Sequence, residues 1–357
     1  MPVTAESVAV SEVLRERRDG IAERVTSLYF EAHPQLEQRW KDARRKCTED
    51  NRLHLDYLCE ALSFGQPALF TEYAVWVAVL LGRLKIPGEA LEFNLELLRT
   101  TLASELGTAG SRITSEYLDS ALAKIGSNTK IGGALPEPPS HIEGNGPCDV
   151  LARNYLAALL QGDRHTASRL VLAAADSGTP VKAIYLLVFQ RVQHEIGRLW
   201  QANRIGVAQE HYCSACTQSI MAQFYPRIFS ANKNGRRLVA TCVAGDLHEI
   251  GPRMVADFFE LEGWDTFFLG ANTPIAGTLQ QLVERQPHVL AISATMPLHI
   301  HAVAALIAAV RATGKPPRIL VGGAPFNSLS NLWRDVGADG CARDADEAIA
   351  LANSWFR

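Results

Sequence analysis

The sequence predicts two kinds of architecture in one chain: all-helical segments first, then a C-terminal α/β domain on a five-stranded parallel sheet. Three observations carry this. Up to about residue 126, apolar residues recur at helical spacing. From residue 148 to about 232, four further helical stretches follow one another across short Gly, Pro and Asn breaks. From Arg237 onward, short apolar runs alternate with amphipathic helices, the pattern of a parallel sheet covered on both faces.

Composition narrows the class. The chain has 357 residues, enough for two or three cores, with 47% hydrophobic and 20% charged residues, as in globular proteins. A formal charge of −3 gives no electrostatic basis for a nucleic-acid partner. No stretch approaches the ~20 apolar residues of a membrane span, and no signal-peptide pattern opens the chain. The seven cysteines, odd in number and scattered, fit reduced thiols in a cytoplasm. Cys213-x-x-Cys216 has redox or zinc spacing, but it lies in a helical pattern without a second Cys/His pair, so packing is its expected role.

Residues 1–126 read as a helical domain. Thr48-Glu49-Asp50 has the capping hydroxyl and first-turn acids of a helix start, followed by Leu55, Leu58, Cys59 and Leu62 at helical spacing. Pro67 and Pro87 suit first turns, and Gly65 and Gly107 suit helix ends. Aromatics are dense here, Tyr29, Trp40, Tyr57, Phe70, Tyr73 and Trp76 among them. They make either a bundle core or a pocket for a flat, conjugated ligand. Residues 127–147, dominated by Gly, Pro, Ser and Asn, read as a linker. Residues 148–235 hold helices over Asp149 to Leu160, Arg164 to Ser177, Val181 to Trp200 and Val207 to Phe229, an up-down four-helix bundle closed by a polar hinge at Asn232 to Gly235.

Residues 236–357 alternate. The expected strands cover Leu238 to Val243, Thr266 to Leu269, Val289 to Ser293, Arg318 to Val321 and a short run at Gly340-Cys341. Helices follow at Pro252 to Glu262, Ile275 to Arg285, Ile300 to Thr313, Leu329 to Val336 and Ala345 to Trp355. This suits a flavodoxin-like, Rossmann-like layout, whose ligands sit beyond the carboxyl ends of the strands. The unusual residues fall at those ends: Asp246 to Gly251, Gly270 to Pro274, Ser293-Ala294-Thr295 and Gly322-Gly323. No Gly-x-Gly-x-x-Gly follows the first strand, which argues against a dinucleotide site. An Asp two residues before a His can accept the imidazole Nδ1–H, fix the tautomer and leave Nε2 free for a metal. Gly251 lets a bulky ligand approach the backbone.

In Asp246-x-His248-x-x-Gly251, the Ser293-x-Thr295 pair, Gly322-Gly323 and the loop Leu269 to Pro274, residues 237–357 resemble cobalamin-binding domains. The resemblance implies that His248 enters the lower axial position of cobalt and displaces the cofactor's own base. The displaced nucleotide tail would then use a slot kept open by Gly322 and Gly323, with the Ser293 and Thr295 hydroxyls on its dimethylbenzimidazole. Gly270 lies in the loop beside it. The preceding bundle would cap the cofactor's upper face. Its Trp200-x9-Glu210-His211 pattern resembles the light-sensing bundle of CarH-type photoreceptors, which implies adenosylcobalamin as cofactor, with Trp200 over the upper ligand and Glu210 and His211 on its adenosyl group. CarH-type proteins carry a His directly after that Trp. Gln201 stands there in this chain, so a second histidine on cobalt would need another donor, such as His211.

CarH-type proteins also begin with a DNA-binding winged helix, which residues 1–126 do not resemble. The run from His33-Pro34 through His54-Leu55-Asp56-Tyr57 to Tyr73-x-x-Trp76 is similar instead to the helical domain of photocobilins, which implies a linear tetrapyrrole (a bilin such as biliverdin) as second chromophore. No Cys is placed for a thioether link, so it would be held non-covalently, with His33 and His54 as candidate neighbours. His299 and His301 lie near the rim of the expected pocket. The leading expectation is a cobalamin-dependent light sensor and not an enzyme, acting on a downstream effector or a second copy of the chain. The alternative is a corrinoid protein carrying methyl groups between methyltransferases. A mutase subunit is the third reading, weakened by the lack of a barrel domain.

Overall fold

A computed structural model describes residues 4–39, 41–129 and 139–356; Trp40 and residues 130–138 of the expected linker lie outside them. The chain divides into two compact units, Met1–Glu137 and Pro138–Arg357.

The first unit is helical: α1 (Ala5–Ala32), α2 (Pro34–Arg39), α3 (Ala43–Ser63), α4 (Pro67–Arg83), α5 (Gly88–Glu105) and α6 (Gly107–Thr129). Thr4 caps α1 in a reciprocal capping box with Ser7. Helix α3 starts five residues before the expected Thr48. The Thr48 hydroxyl finds acceptors inside the fold, donating to the Arg44 carbonyl (3.0 Å) and the Thr26 hydroxyl (3.2 Å), so it caps nothing. Pro87 stands one position before α5, not within its first turn. The aromatics pack largely on one another: Tyr57 and Tyr73 stack at 3.6 Å, and Tyr29, Phe30, Phe64 and Phe70 are buried. His54 is buried against Tyr73, its Nδ1 2.8 Å from the phenol oxygen, and burial pushes its pKa down to about 4, so the ring is neutral. His33 meets Phe93 edge-on at 4.9 Å.

The second unit begins with residues that are tied down. The segment expected as a linker starts inside α6, and its last part is pinned to the bundle. The His141 N–H donates to Glu195 (2.9 Å), while Arg191 donates to the carbonyls of His141 and Glu143 (both 2.9 Å). The bundle helices are α7 (Pro147–Leu160), α8 (Arg164–Asp176), α9 (Val181–Ile184), α10 (Arg191–Gln201), α11 (Val207–Met221) and α12 (Tyr225–Ile228). Two stretches expected as single helices are segmented. A π-helical turn, Tyr185–Gln190, joins α9 to α10, and a 3₁₀ turn, Ala222–Phe224, separates α11 from α12. The second break is next to Pro226, which has no N–H and whose ring crowds the carbonyl four residues earlier.

The sheet follows: β1 (Arg237–Cys242), α13 (Ile250–Leu261), β2 (Asp265–Phe268), α14 (Ile275–Arg285), β3 (Val289–Ser293), α15 (Ile300–Arg311), β4 (Arg318–Gly322), α16 (Ala324–Ser328), α17 (Leu332–Asp335), β5 (Gly340–Cys341) and α18 (Ala345–Ser354). The five strands are parallel in the order β2-β1-β3-β4-β5, the flavodoxin-like arrangement. The helix expected over Leu329 to Val336 is shortened to Leu332–Asp335, and an unforeseen short helix, started by Ala324-Pro325 directly after β4, ends before Leu329 turns extended. Bundle and sheet share one continuous apolar core, running from Tyr155, Phe189 and Phe224 to Phe258, Phe259 and Trp264. The polar hinge is clamped: the Asn234 N–H donates to the Gly263 carbonyl (2.7 Å), and Lys233 pairs with Glu260. Within this core the Tyr185 hydroxyl donates to Asp257 of α13 (2.9 Å). All seven cysteines are free; Cys213 and Cys216 are buried, and burial pushes the Cys213 thiol up to about 11. Among the described residues no helix is long and apolar enough to cross a membrane.

Candidate functional site

The site is built at the carboxyl ends of β1, β3 and β4. After Cys242 the chain leaves β1 and bends through Gly245 (φ 88°) to Asp246. The loop after β2 holds this bend: the Asn272 side chain accepts from the Gly245 N–H (2.8 Å), and the Asn272 N–H donates to the Asp246 carbonyl (2.9 Å). Gly270 (φ 86°) turns that loop, and its carbonyl accepts from the Cys242 N–H (3.1 Å).

Asp246 is fully buried and both of its oxygens are used. Oδ1 lies 2.8 Å from His248 Nδ1 and accepts the His248 backbone N–H at 3.0 Å; Oδ2 accepts the Thr295 N–H at 2.7 Å. His299 Nδ1 stands 3.5 Å from Oδ2. That contact is too long for a full hydrogen bond, and His299 Nδ1 has no other partner among the described residues. Burial alone would push the Asp246 carboxyl up, but the donors from His248, His299 and Thr295 outweigh it and hold the acid ionised, well below the usual range. Its carboxylate in turn raises the His248 pKa against the effect of burial, with Glu210 adding to the rise. Glu210 of α11 is thus within electrostatic reach of His248.

The His248 side chain is 58% exposed, and its Nε2 has no partner among the described residues. Leu247 beside it is 71% exposed, a large apolar side chain turned to solvent. A Cβ added to Gly251, in the first turn of α13, would meet nothing within 4 Å. Ser293 ends β3 in register with Gly322 of β4, and both the Ser293 and Thr295 side chains are half-buried. Gly323 has a reason that the sequence does not disclose. At φ 109°, its Cβ would stand 2.0 Å from the Ala294 carbonyl oxygen, so a backbone crosses there. A Cβ on Gly322 would lie 3.2 Å from the Ala342 carbonyl. Both glycines admit neighbouring backbone.

On the bundle, the Glu210 carboxylate accepts from Ser214 Oγ (2.9 Å) and faces His211 Nδ1 (2.7 Å); the His211 ring is 74% exposed. Ser214 also donates to Gln193 (3.1 Å). Trp200 and Gln201 end α10, both half-buried. Gln218 of α11 donates to Glu249 (2.9 Å), joining the bundle to the loop that carries His248. Of the residues singled out from the sequence, Asp246, His248 and Thr295 touch directly, and Glu210 reaches His248 by charge. His299, Glu249 and Asn272 complete the site; the sequence places His299 near the pocket rim and the other two within the loops after β1 and β2, without their contacts.

This set fits a macrocycle-held metal. Among the described residues no three or more His, Cys, Asp or Glu side chains converge on one point, so a bare ion has no cage. A metal already held in the plane of a tetrapyrrole needs one axial donor from the protein, as haem iron does. An exposed Nε2 on an imidazole whose Nδ1 is fixed by a buried carboxylate has the chemistry of such a donor.

Comparison with known proteins agrees in kind. Residues 236–352 match the B12 binding domain, and residues 151–225 match a second family also described as a B12 binding domain. The chain is 32% identical over 153 residues to the HTH-type transcriptional repressor CarA of Myxococcus xanthus, covering 42% of this chain and 51% of CarA. It is 30% identical over 126 residues to dimethylamine corrinoid protein 2 of Methanosarcina mazei, covering 34% of this chain and 58% of that protein. The chain spans only about half the length of these curated relatives. The monomethylamine corrinoid protein of Methanosarcina barkeri has the same fold over 58% of this chain and 98% of its own, with a TM-score of 0.52 at 19% identity.

Proposed function

We propose that this chain, a cobalamin-binding protein, is a cobalamin-dependent photoreceptor, with adenosylcobalamin as its dark-state cofactor and a non-covalent bilin in its N-terminal unit. Bound adenosylcobalamin supplies a cobalt–carbon bond that visible light breaks. The chain's own residues hold the cofactor and register that loss. His248, its ring fixed and made more basic by Asp246, would hold the cobalt through Nε2. Ser293 and Thr295 would offer hydroxyls to the cofactor's nucleotide base near Gly322 and Gly323, and Gly251 would leave room for the corrin edge. On the bundle, Trp200 would serve as an apolar lid over the bound cofactor, and Glu210 with His211 would accept the hydroxyls of its adenosyl group. Loss of that ligand would release Trp200 and Glu210 and let the bundle resettle against the sheet.

The observation that carries the light-sensing reading is Glu210. It is a two-oxygen acceptor steadied by Ser214 on the bundle, within electrostatic reach of His248. A ribose has two hydroxyls to donate to such a carboxylate; a methyl ligand has none. The likeness to CarA, a transcriptional repressor, adds support for a regulatory role. The test is illumination of the purified holoprotein with green and with red light. A changed visible spectrum together with a changed scattering envelope is expected, and red-absorbing bands beyond those of cobalamin would establish the bilin. A spectrum and an envelope that ignore light would end the proposal.

A second reading, a corrinoid methyl carrier, is favoured by the likeness to a dimethylamine corrinoid protein and would act with partner methyltransferases. Turnover in the dark with a methyl donor and a partner extract separates the two. Both readings share one expected outcome. Because a Cβ on Gly251 would meet nothing within 4 Å and the position lies in the first turn of α13, Gly251→Leu is expected to change stability by less than about 1 kcal/mol. The same change obstructs the corrin edge, so cobalamin affinity should fall by tenfold or more. Parallel thermal melts and hydroxocobalamin titrations check both halves.

A further inference from the structure

A line of hydrogen bonds runs from Glu210 into the centre of the bundle and joins three of its helices. Glu210 Oε1 is 2.9 Å from Ser214 Oγ, one turn along α11. Ser214 Oγ is 3.1 Å from Gln193 Oε1 of α10, and Gln193 Nε2 donates to Thr217 Oγ1 (2.8 Å). Thr217 is fully buried beside the equally buried Tyr155 of α7, their oxygens 3.0 Å apart. Counting protons gives the line a direction. The Thr217 proton goes to the Cys213 carbonyl (3.0 Å), so Thr217 receives from both Tyr155 and Gln193. Burial raises the Tyr155 pKa, so the phenol keeps the proton it donates. With the Gln193 nitrogen held by Thr217, its oxygen is the atom that faces Ser214. There the count falls short: one serine proton stands between two acceptors, the Glu210 carboxylate and the Gln193 amide oxygen.

We propose that Gln193, acting through Ser214, is a specificity-determining residue that favours an upper ligand with hydroxyls over a bare methyl group. The inference rests on Glu210 as the acceptor of the adenosyl hydroxyls. Without such donors the serine proton stays on the carboxylate, because a bond to a charged acceptor is the stronger one. The Gln193 oxygen then faces Ser214 Oγ at 3.1 Å with no proton between them. Both side chains are half-buried, and an acceptor left unpaired there carries a cost. Ribose hydroxyls on Glu210 share its charge and loosen its hold on the serine proton, which turns to Gln193 and pairs that oxygen. Every donor from the ligand to Tyr155 then has its own acceptor. A methyl group brings no donor, so the serine stays on the carboxylate and the Gln193 oxygen remains unpaired. The preference requires no light, so it can be measured on the dark protein.

Equilibrium titrations of the full, cobalamin-free chain with adenosylcobalamin and with methylcobalamin, both in the dark, test it through the ratio of the two affinities. Gln193→Met keeps the length of the side chain and removes the oxygen. It is expected to lower the adenosyl-to-methyl ratio by roughly three- to tenfold, the worth of one neutral hydrogen bond. Ser214→Ala removes the proton, so in that background Gln193→Met should leave the ratio where Ser214→Ala alone puts it. A general loosening of the bundle would weaken both ligands together and leave the ratio alone. An unchanged ratio in Gln193→Met overturns the inference, and so does an equal drop with and without Ser214. Glu210→Gln separates this from the reading beneath it. If Glu210→Gln keeps the wild-type ratio, Glu210 does not receive the adenosyl group and both fail; a drop in Glu210→Gln with none in Gln193→Met removes the role of Gln193 alone. If Gln193→Met does not fold, Gln193→Leu, which also lacks the oxygen, takes its place.

Discussion

Replacing His248 by alanine is expected to lower cobalamin affinity by at least 10–100-fold, the range found for mere supporting residues at metal sites. Any cobalamin that still binds should show the spectrum of the cofactor on its own base. The size follows from the geometry. The Nδ1 of His248 is held at 2.8 Å by a fully buried carboxylate, and Nε2 is free of protein partners among the described residues. Asp246→Asn is the informative companion. An amide supplies one acceptor where the site has four contacts to receive, from His248 N and Nδ1, Thr295 N and, at longer range, His299. Its NH₂ would face a backbone N–H or the imidazole, and the negative charge that makes His248 basic would be gone. A loss of affinity of roughly 10–100-fold is expected, with His248 still in place. Equilibrium titration with hydroxocobalamin, read by the visible spectrum, measures both variants. Wild-type affinity and spectrum in His248→Ala would remove the axial role and the two functions proposed on it.

Gly323→Ala carries the largest expected effect on stability. Its φ of 109° is a conformation that L residues rarely adopt, and its Cβ would stand 2.0 Å from the Ala294 carbonyl oxygen. Backbone strain of this kind costs about 1–3 kcal/mol, and the overlap adds to it. A loss of roughly 3 kcal/mol or more is expected, a fall in Tm of about 6–12 °C for a unit of this size. The consequence reaches the site through one peptide group. The Ala294 carbonyl and the Thr295 N–H belong to the same plane, and that N–H holds Asp246 Oδ2 at 2.7 Å. Pushing the carbonyl tilts the donor, so the folded fraction of Gly323→Ala should also bind hydroxocobalamin more weakly. A melt within a degree of wild type would show that the β3 and β4 ends separate freely.

The sequence by itself determined what is local and periodic. Alternating apolar runs and amphipathic helices placed all five strands to within a residue or two, and their parallel order follows from the crossover helices between them. The bond from Asp246 to His248 was legible because it spans two residues and needs no partner from elsewhere. Tertiary structure decided the rest. His299 stands near the same carboxylate from 53 positions away, and Gln218 meets Glu249 across the bundle–sheet boundary; no spacing encodes either. Thr48 looked like a helix start because its chemistry suits one, but Arg44 and Thr26 already supply its acceptors. Gly322 and Gly323 announced themselves as glycines without saying that backbone carbonyls come close to them. Periodicity reports which face of an element is apolar, but not which distant residue the folded chain brings to it. For that reason the elements could be read in advance and the network around His248 could not.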